Sequence, residues 1–318
     1  MIGAPPDATF VLCIEQNALR AQALLLCESI RRFGGRHAGA RILAFAPRPG
    51  LGVDAGTRRT LEALEVEYID RALNVLCPEY GSANRVFAAA HAEALAHTEW
   101  IVVLDSDTLV LGEPALPAGA DVALRPVDTK GSATSGSADD PFLAYWERLA
   151  SLRAVPLERL PMLDTTDRSA RIRASYNGGL VAARREAHLL SAWADLFARS
   201  VSEGLKPWRG SGLDVRASTG LVGTAAGEYW GSNQAALAVA VWSVTSRVHV
   251  YPDSYNVPLH MLVDRPDFPG WPATLPPVHV HYHWMFAAPG HERAVTTLER
   301  LGVPDEPLAW LRARLPLA

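Results

Sequence analysis

The sequence has no excess of positive charge, no apolar run of membrane length and few cysteines. Its 30 Lys and Arg residues are balanced by 34 Asp and Glu, for a net charge of −4 at pH 7. Such a balance argues against nucleic acid as a partner, because nucleic-acid-binding proteins carry a basic footprint. The longest apolar runs are too short to span a bilayer, and residues 1–7 do not resemble a secretory signal. We therefore expect no transmembrane segment.

The three cysteines, Cys13, Cys27 and Cys77, are odd in number and have no metal-binding spacing. Cys13 falls in a predicted strand and Cys27 on the apolar face of a predicted helix. We therefore expect buried thiols rather than disulfides, and from them a reducing, cytoplasmic setting.

The chain has ample material for a core, with 318 residues of which 49% are hydrophobic and 20% charged. Strand and helix patterns alternate through its first part, which predicts a parallel sheet with right-handed crossovers. The predicted strands are 9–14, 41–46, 66–69, 100–104, 121–126, 174–183 and 248–251; the predicted helices are 19–33, 54–65, 83–97, part of 141–163, 186–203 and 234–244. Ser82 is expected to cap the third helix.

The most informative stretch is the apolar strand that ends at Leu104 and is followed by Asp105-Ser106-Asp107. Carboxylates at the end of a buried strand are costly unless something pairs with them. Ligands of open α/β sheets collect outside the carboxyl ends of the strands, and two hard oxygen ligands suit Mg²⁺ or Mn²⁺, ions that often accompany phosphates. The pattern predicts a site for a metal ion and a diphosphate.

An apolar strand followed by Asp-x-Asp (the DXD motif) resembles the nucleotide-sugar-dependent glycosyltransferases of the GT-A fold, including glycogenin-like and lipopolysaccharide-sugar transferases. The resemblance implies an α/β fold with a Rossmann-type mixed sheet flanked by helices. It also implies one domain over residues 1–318, with a nucleotide-binding half (1–112) and an acceptor- and sugar-binding half (113–318). In this family a basic residue on the helix before the metal strand often holds the nucleotide. Arg85 has that place here, although a solvated helix start is an equal alternative.

Two further stretches match the family in part. Asn177-Gly178-Gly179 interrupts a strand-like run. A plain turn or a bulge would explain it, but by resemblance these residues line the sugar pocket. Asn233-Gln234 stands where similar transferases carry Asp-Gln. Asparagine can still bond a sugar hydroxyl or cap a helix, but it supplies no negative charge. Glu228 is a possible substitute for the missing carboxylate, with an exposed loop glutamate as the plainer alternative.

Three histidines, His279, His281 and His283, alternate in a predicted strand and would share one face. Histidine is a common metal ligand. In similar glycosyltransferases a C-terminal histidine completes the ion site, and His281 fits that pattern best, with His283 as the alternate. A structural histidine strand remains the other interpretation. The glycine-lysine-proline-tryptophan tail of glycogenin-like members is absent.

The resemblance implies metal-dependent transfer of a sugar from a nucleoside-diphosphate sugar, a UDP-sugar by default, to a glycan, lipid, peptide or small molecule. Asp107 would be the direct ligand of Mn²⁺ or Mg²⁺, and Asp105 would reach the ribose or bind through water. Asn177, Asn233 and Gln234 would orient the sugar. The loops at 129–140 and 207–227 would admit the acceptor. We expect retention of configuration, because the sequence offers only Glu228, Asp164, Asp167 and Asp214 as loose candidates for a base.

Three alternatives compete with this interpretation. A haloacid-dehalogenase-type phosphatase needs its aspartates after the first strand and a threonine two places after the second aspartate, whereas Thr108 follows directly. A nucleotidylyltransferase needs a glycine-rich loop ending in arginine after the first strand, and residues 15–18 contain none. A degenerate transferase-like domain that binds carbohydrate or protein remains open.

Overall fold

The computed structural model describes residues 7–131, 133–208, 216–217, 220–221, 223–264 and 275–317. Its strands are β1 (Ala8–Cys13), β2 (Arg41–Ala46), β3 (Val66–Asp70), β4 (Trp100–Leu104), β5 (Thr108–Val110), β6 (Val122–Pro126), β7 (Met162–Asp164), β8 (Arg171–Arg173), β9 (Tyr176–Arg184), β10 (Arg216–Ala217), β11 (Gly220–Leu221), β12 (Val248–Val250), β13 (Val257–Pro258) and β14 (His279–His281). Its helices are α1 (Leu19–Phe33), α2 (Ala55–Ala63), α3 (Asn84–Leu95), α4 (Leu143–Ser151), α5 (Leu189–Ser202), α6 (Thr224–Glu228), α7 (Ser232–Val244), α8 (Leu259–Asp264), α9 (His291–Arg300) and α10 (Asp305–Arg312).

The main sheet has the strand order β12-β6-β9-β4-β1-β2-β3. Strands β1 to β4 pair in parallel, as the alternating pattern predicts, but β9 runs antiparallel to both β4 and β6. The sheet is therefore mixed, and strands from both halves of the sequence contribute to it. Helices cover both of its faces, which confirms the predicted fold class.

Alternate residues of the central strands face opposite layers of helices, as the two-residue period of a strand requires. On β1, Val11 and Cys13 pack in the core covered by α3, α5 and α7, whereas Phe10 and Leu12 pack with α1 and α2. Burial on both faces explains why these strands are almost continuously apolar.

The three cysteines are buried free thiols. Burial raises the pKa of both Cys27 and Cys77 to about 12. At neutral pH neither is a thiolate, so both behave as small apolar residues of the core.

A second sheet, β13-β14-β5, joins the C-terminal part of the chain to the Asp-x-Asp loop. Strand β14 pairs antiparallel with β5, with His281 opposite Thr108. The core beneath it is shared with α8, α9 and α10. Because β5 begins directly after Asp107, this pairing brings the late histidines to the motif.

At Asn177–Gly179 strand β9 continues, but its pairing with β6 shifts register between Leu124 and Pro126, so the interruption takes the form of a bulge. Two other local expectations are wrong. Ser82 does not cap α3, because a 3₁₀ turn over Gly81–Ala83 precedes the helix and Ala83 is its N-terminal flanking residue. The histidine strand ends at His281; His283 lies beyond it in the left-handed region, with φ at 52°.

Within the described ranges, no helix combines the length and the apolar character that a membrane crossing requires.

The start of α5 depends on a side chain from another helix, which gives a first prediction. The two Glu93 carboxylate oxygens accept the backbone N–H groups of Leu190 and Ser191, each at 3.0 Å, and α5 has no side-chain cap of its own. Glu93→Ala leaves these donors unpaired in a buried place, so we expect the free energy of unfolding to fall by about 2 kcal/mol. Urea denaturation of the wild type and the variant measures this free energy. Glu62→Ala, on the exposed side of α2, is the matched control and should change stability by less than about 0.5 kcal/mol; equal effects of the two variants would contradict the prediction.

Candidate active site

Backbone and side-chain hydrogen bonds to β9, to β1 and to the turn after β14 hold the Asp-x-Asp loop in place. The N–H of Asp105 donates to the Gly179 carbonyl at 3.2 Å, which ties the loop to β9. The Ser106 hydroxyl donates to the Cys13 carbonyl at the end of β1. The Asp107 carbonyl accepts the N–H of Tyr282 at 3.0 Å. Ser106 therefore fixes the loop to β1, and both carboxylates are presented by a backbone that is held at three points.

Asp107, His281 and His283 converge at this loop. Nε2 of His281 is 3.3 Å from Oδ1 of Asp107, and Nδ1 of His283 is 3.3 Å from Oδ2. One ligand atom from each residue lies within 4.8 Å of the others. His283 reaches the site although it is outside the strand, because the turn after β14 places its ring 3.9 Å from the ring of His281.

The charges of these three groups are coupled. Burial alone would raise the pKa of the Asp107 carboxyl, but the His281 charge and the hydrogen bonds from both histidines outweigh it and hold that pKa well below its usual range. Burial opposes charge on His281 as well, yet the Asp107 carboxylate raises the pKa of His281 above its ordinary value. The Asp107 carboxylate therefore favours positive charge at the position of His281.

The Asp105 carboxylate forms an ion pair with the Arg85 guanidinium. Its Oδ2 is also 3.9 Å from Nε2 of His281. Burial raises the pKa of the Asp105 carboxyl, while the Arg85 charge opposes that shift. Arg85 therefore lies at the motif, and its first partner is the carboxylate rather than solvent.

The two glycines of β9 leave room for these side chains. A Cβ atom on Gly178 would be 2.8 Å from Nη1 of Arg85, and one on Gly179 would be 2.7 Å from Nδ1 of His281. Both distances are shorter than real Cβ contacts, so any larger residue would displace the arginine or the histidine. The glycines thus lie behind the ligands, whereas Asn177 lies at the cavity itself.

Sequence analysis did not single out Asp128, which follows β6 at the same edge of the sheet. Its Oδ2 accepts the Asn177 amide at 3.2 Å, and its Oδ1 is buried without a partner in the described part of the chain. Burial raises the pKa of the Asp128 carboxyl, against the charges of His281 and His283. Asp128 also forms a possible ligand group with His260 and His283. The sequence feature that could have identified Asp128 is its position as a polar residue just after a predicted strand.

A second ion pair lies at the end of β1. The fully buried Glu15 carboxylate accepts from Arg48, with 2.5 Å between Nη2 and Oε2, and from the Asn84 amide at 3.1 Å. Arg48 also lines the cavity. Two guanidinium groups, those of Arg48 and Arg85, are therefore available there, each oriented by a carboxylate.

The side chain of Asn233 is held by the protein. Its Oδ1 accepts the Tyr80 hydroxyl at 2.8 Å, and its Nδ2 donates to the Ser82 carbonyl at 3.4 Å. It does not cap α7, whose flanking residue is Gly231. Gln234, the next residue, also lines the cavity.

One cavity of about 510 Å³ is bordered by most of these groups, but not by Glu15, Gly178 or Gly179. This volume is typical of a site for a cofactor or a drug-sized ligand. Its charged and amide lining includes Arg48, Arg85, Asp105, Asp107, Asp128, Asn177, Asn233, Gln234, His260, His281 and His283.

Comparison with known proteins decides the family. Residues 10–207 match the model of the Rhodobacterales glycosyltransferase domain. The chain belongs to this glycosyltransferase family. A search of curated proteins gave no match.

Solved structures give the fold of this glycosyltransferase. The apo structure of the bifunctional glycosyltransferase WbbM is similar with a TM-score of 0.52 and 14% identity; the match covers 97% of this chain and 51% of that one, so the chain spans about half the length of WbbM. Mouse xyloside xylosyltransferase 1 matches at 13% identity and a TM-score of 0.42, over 86% of this chain and 97% of that one. The galactosyltransferase LgtC, in complex with donor and acceptor sugar analogues, matches at 11% identity and a TM-score of 0.48, over 96% of this chain and 100% of that one. The similarity to WbbM supports the GT-A fold implied by the DXD motif.

The loose candidates for a catalytic base in this glycosyltransferase have other partners or lie elsewhere. The Glu228 carboxylate accepts from Lys206, Asp164 is exposed and 3.8 Å from Arg171, and Asp167 accepts from the Thr165 and Ser169 hydroxyls. Asp214 lies outside the described residues, as does part of the predicted acceptor loop 207–227.

Of the other predicted acceptor loop, 129–140, Thr129 lines the cavity. Asp140 organises the end of this loop. It accepts the backbone N–H groups of Gly136 and Phe142, and it is 2.8 Å from the Lys130 ammonium.

Proposed function

We propose that this glycosyltransferase is metal-dependent and transfers a sugar from a nucleoside-diphosphate sugar, with a UDP-sugar as the default donor. The observation that carries the proposal is the convergence of Asp107, His281 and His283 at the edge of a cavity that also holds Arg85. A carboxylate and two imidazoles are a mixed oxygen and nitrogen donor set, which favours Mn²⁺ over Mg²⁺. When bound, such an ion stabilises the negative charge that develops on the departing diphosphate.

The remaining cavity residues have separate roles in this proposal. Arg85 and Arg48 bind phosphate oxygens, because a guanidinium donates two parallel hydrogen bonds to them. Asp105 orients Arg85 and faces the ribose. Asn177 and Gln234 orient the donor sugar, and Asn233 holds the start of α7 in place beside them.

Asp128 supplies the carboxylate that the sequence did not reveal. Glycosyl transfer breaks the bond between the anomeric carbon and the diphosphate oxygen, through a transition state with positive charge on the ring. The free Oδ1 of Asp128 stabilises that charge. In the retaining course that we propose, the acceptor oxygen bonds to the anomeric carbon and its proton passes to the departing phosphate oxygen.

The two halves of the sequence share the main sheet, which supports one catalytic domain with a nucleotide-binding part (1–112) and an acceptor-binding part (113–318). The three free thiols support a reducing, cytoplasmic setting.

A donor screen tests the function. The full chain is incubated with UDP-, GDP-, ADP- and dTDP-sugars, with Mn²⁺ or with EDTA, and release of the free nucleoside diphosphate is measured. We expect release from one donor class that depends on Mn²⁺, and NMR of the transferred sugar should show retained configuration. Release that is equal in EDTA would overturn the metal dependence.

A catalytically degenerate domain that binds carbohydrate is the second candidate. It is favoured by Asn233, which replaces an expected aspartate and whose side chain is already bonded to Tyr80 and Ser82. In that case the screen shows no release of nucleoside diphosphate, while calorimetric titration shows binding of a nucleotide or sugar.

A further inference from the structure

Asn256 lies directly before β13, beside the base of the proposed metal site. Its side chain is only 1% exposed. Neither Oδ1 nor Nδ2 has a hydrogen-bond partner in the described part of the chain, and the same is true of Nδ1 of His281. Three unpaired polar atoms are therefore buried in one corner of the protein.

These atoms are close together. A Cβ atom built on Gly179 would be 2.7 Å from Oδ1 of Asn256 and 2.7 Å from Nδ1 of His281. The two atoms are thus no more than about 5.4 Å apart, on the side of Gly179 where a side chain would stand. The parallel pairing of β13 with β14 sets Val257 opposite Val280 and Pro258 opposite His281, so Asn256 precedes this register by one residue and lies beside the histidine strand.

The arrangement at Asn256 destabilises the folded protein unless the side chain has a functional role. A buried amide without partners loses its hydration and gains nothing in return. Asn256 also has a φ of 49°, in the left-handed region, which few residues other than glycine and asparagine adopt readily. A compensating interaction with His281 would explain both the residue type and its place.

We propose that Asn256 is a positioning residue for His281, an inference that rests on the proposed metal-dependent function. Its Oδ1 accepts the proton of His281 Nδ1. In the metal-bound protein that bond would hold the imidazole in the tautomer whose Nε2 lone pair faces the metal position beside Asp107, and it would fix the plane of the ring. Metal-binding histidines generally donate their other N–H in this way, and loss of the acceptor weakens metal affinity about 10- to 100-fold.

Titration of the full chain with Mn²⁺ tests this proposal without any turnover. Asn256→Gly removes the side chain and keeps the backbone conformation, because glycine accepts a positive φ. We expect its Mn²⁺ dissociation constant to rise about 10- to 100-fold. Asn256→Asp keeps an oxygen acceptor at the same place and should restore tight binding. In ¹⁵N NMR spectra, the His281 signal of the metal-bound wild type should show a protonated Nδ1.

The outcomes separate this inference from the proposed function. If the wild type does not bind Mn²⁺ at all, both are overturned. If the wild type binds and Asn256→Gly binds equally well, only the positioning role fails. Equal losses in Asn256→Gly and Asn256→Asp would indicate a packing role and would also overturn it. Thermal unfolding of the metal-free variants checks that each is folded.

Discussion

Replacing Asp107 by alanine is expected to weaken Mn²⁺ binding by at least about 100-fold and to abolish metal-dependent donor binding. Asp107 is the group that both His281 and His283 approach at 3.3 Å, and without it the site has no direct carboxylate ligand. The protein should stay folded at pH 8, because removal of the Asp107 carboxylate also removes the charge that raises the pKa of His281. The buried imidazole is then neutral at this pH. Calorimetric titration with Mn²⁺, followed by titration with nucleotide, measures both effects.

The matched control is Asp70→Ala, which removes a carboxylate at the end of a neighbouring strand, β3. Asp70 is exposed and is 3.3 Å from the surface residue Arg58. This variant should bind Mn²⁺ like the wild type. Unchanged Mn²⁺ binding in Asp107→Ala would refute the assignment of the site.

The pH dependence of the same titration has a definite sign. Since the pKa of His281 is raised by Asp107, a proton competes with the metal ion for Nε2. Binding should be tightest above that pKa and should weaken as the pH falls through it, because metal ligands must be deprotonated. An affinity that does not change between pH 8 and pH 5.5 would exclude His281 as a ligand.

The second large effect is expected at Asp128. Asp128→Asn keeps the shape of the side chain and an oxygen that accepts the Asn177 amide, but it removes the negative charge. We expect turnover to fall by about 100-fold or more, as for other groups that stabilise transition-state charge, with little change in Mn²⁺ affinity. Initial rates of nucleotide release and the Mn²⁺ titration measure the two quantities.

Asp164→Asn is the control for Asp128, because Asp164 is a carboxylate that the sequence offered for the same task and that lies exposed at the surface. It should leave turnover unchanged. Should Asp128→Asn lose Mn²⁺ affinity and turnover together, Asp128 would be a metal-site residue, consistent with its closeness to His260 and His283, and its catalytic role would be refuted.

Local pattern predicted much of the fold. The helix predicted from apolar spacing over 19–33 agrees with α1, and the strand predicted over 41–46 agrees with β2. These predictions succeed because the spacing of apolar residues within one short segment determines which face of a helix, or which strand, is buried. The direction of β9 was not predictable in this way, because a buried strand has the same apolar pattern whether its neighbours run parallel or antiparallel to it.

The sequence by itself determined that two carboxylates follow a buried strand at Asp105 and Asp107, because a strand and the polar residues that end it are local features. Only the tertiary structure decided which groups meet them. His283 reaches the site through the turn after β14 and not through the strand itself. Arg85 forms an ion pair with Asp105. Asp128 and Asn256 lie in segments that carry no sequence motif. The partners of a side chain depend on how distant strands pair, and that pairing is set by the packing of the whole core.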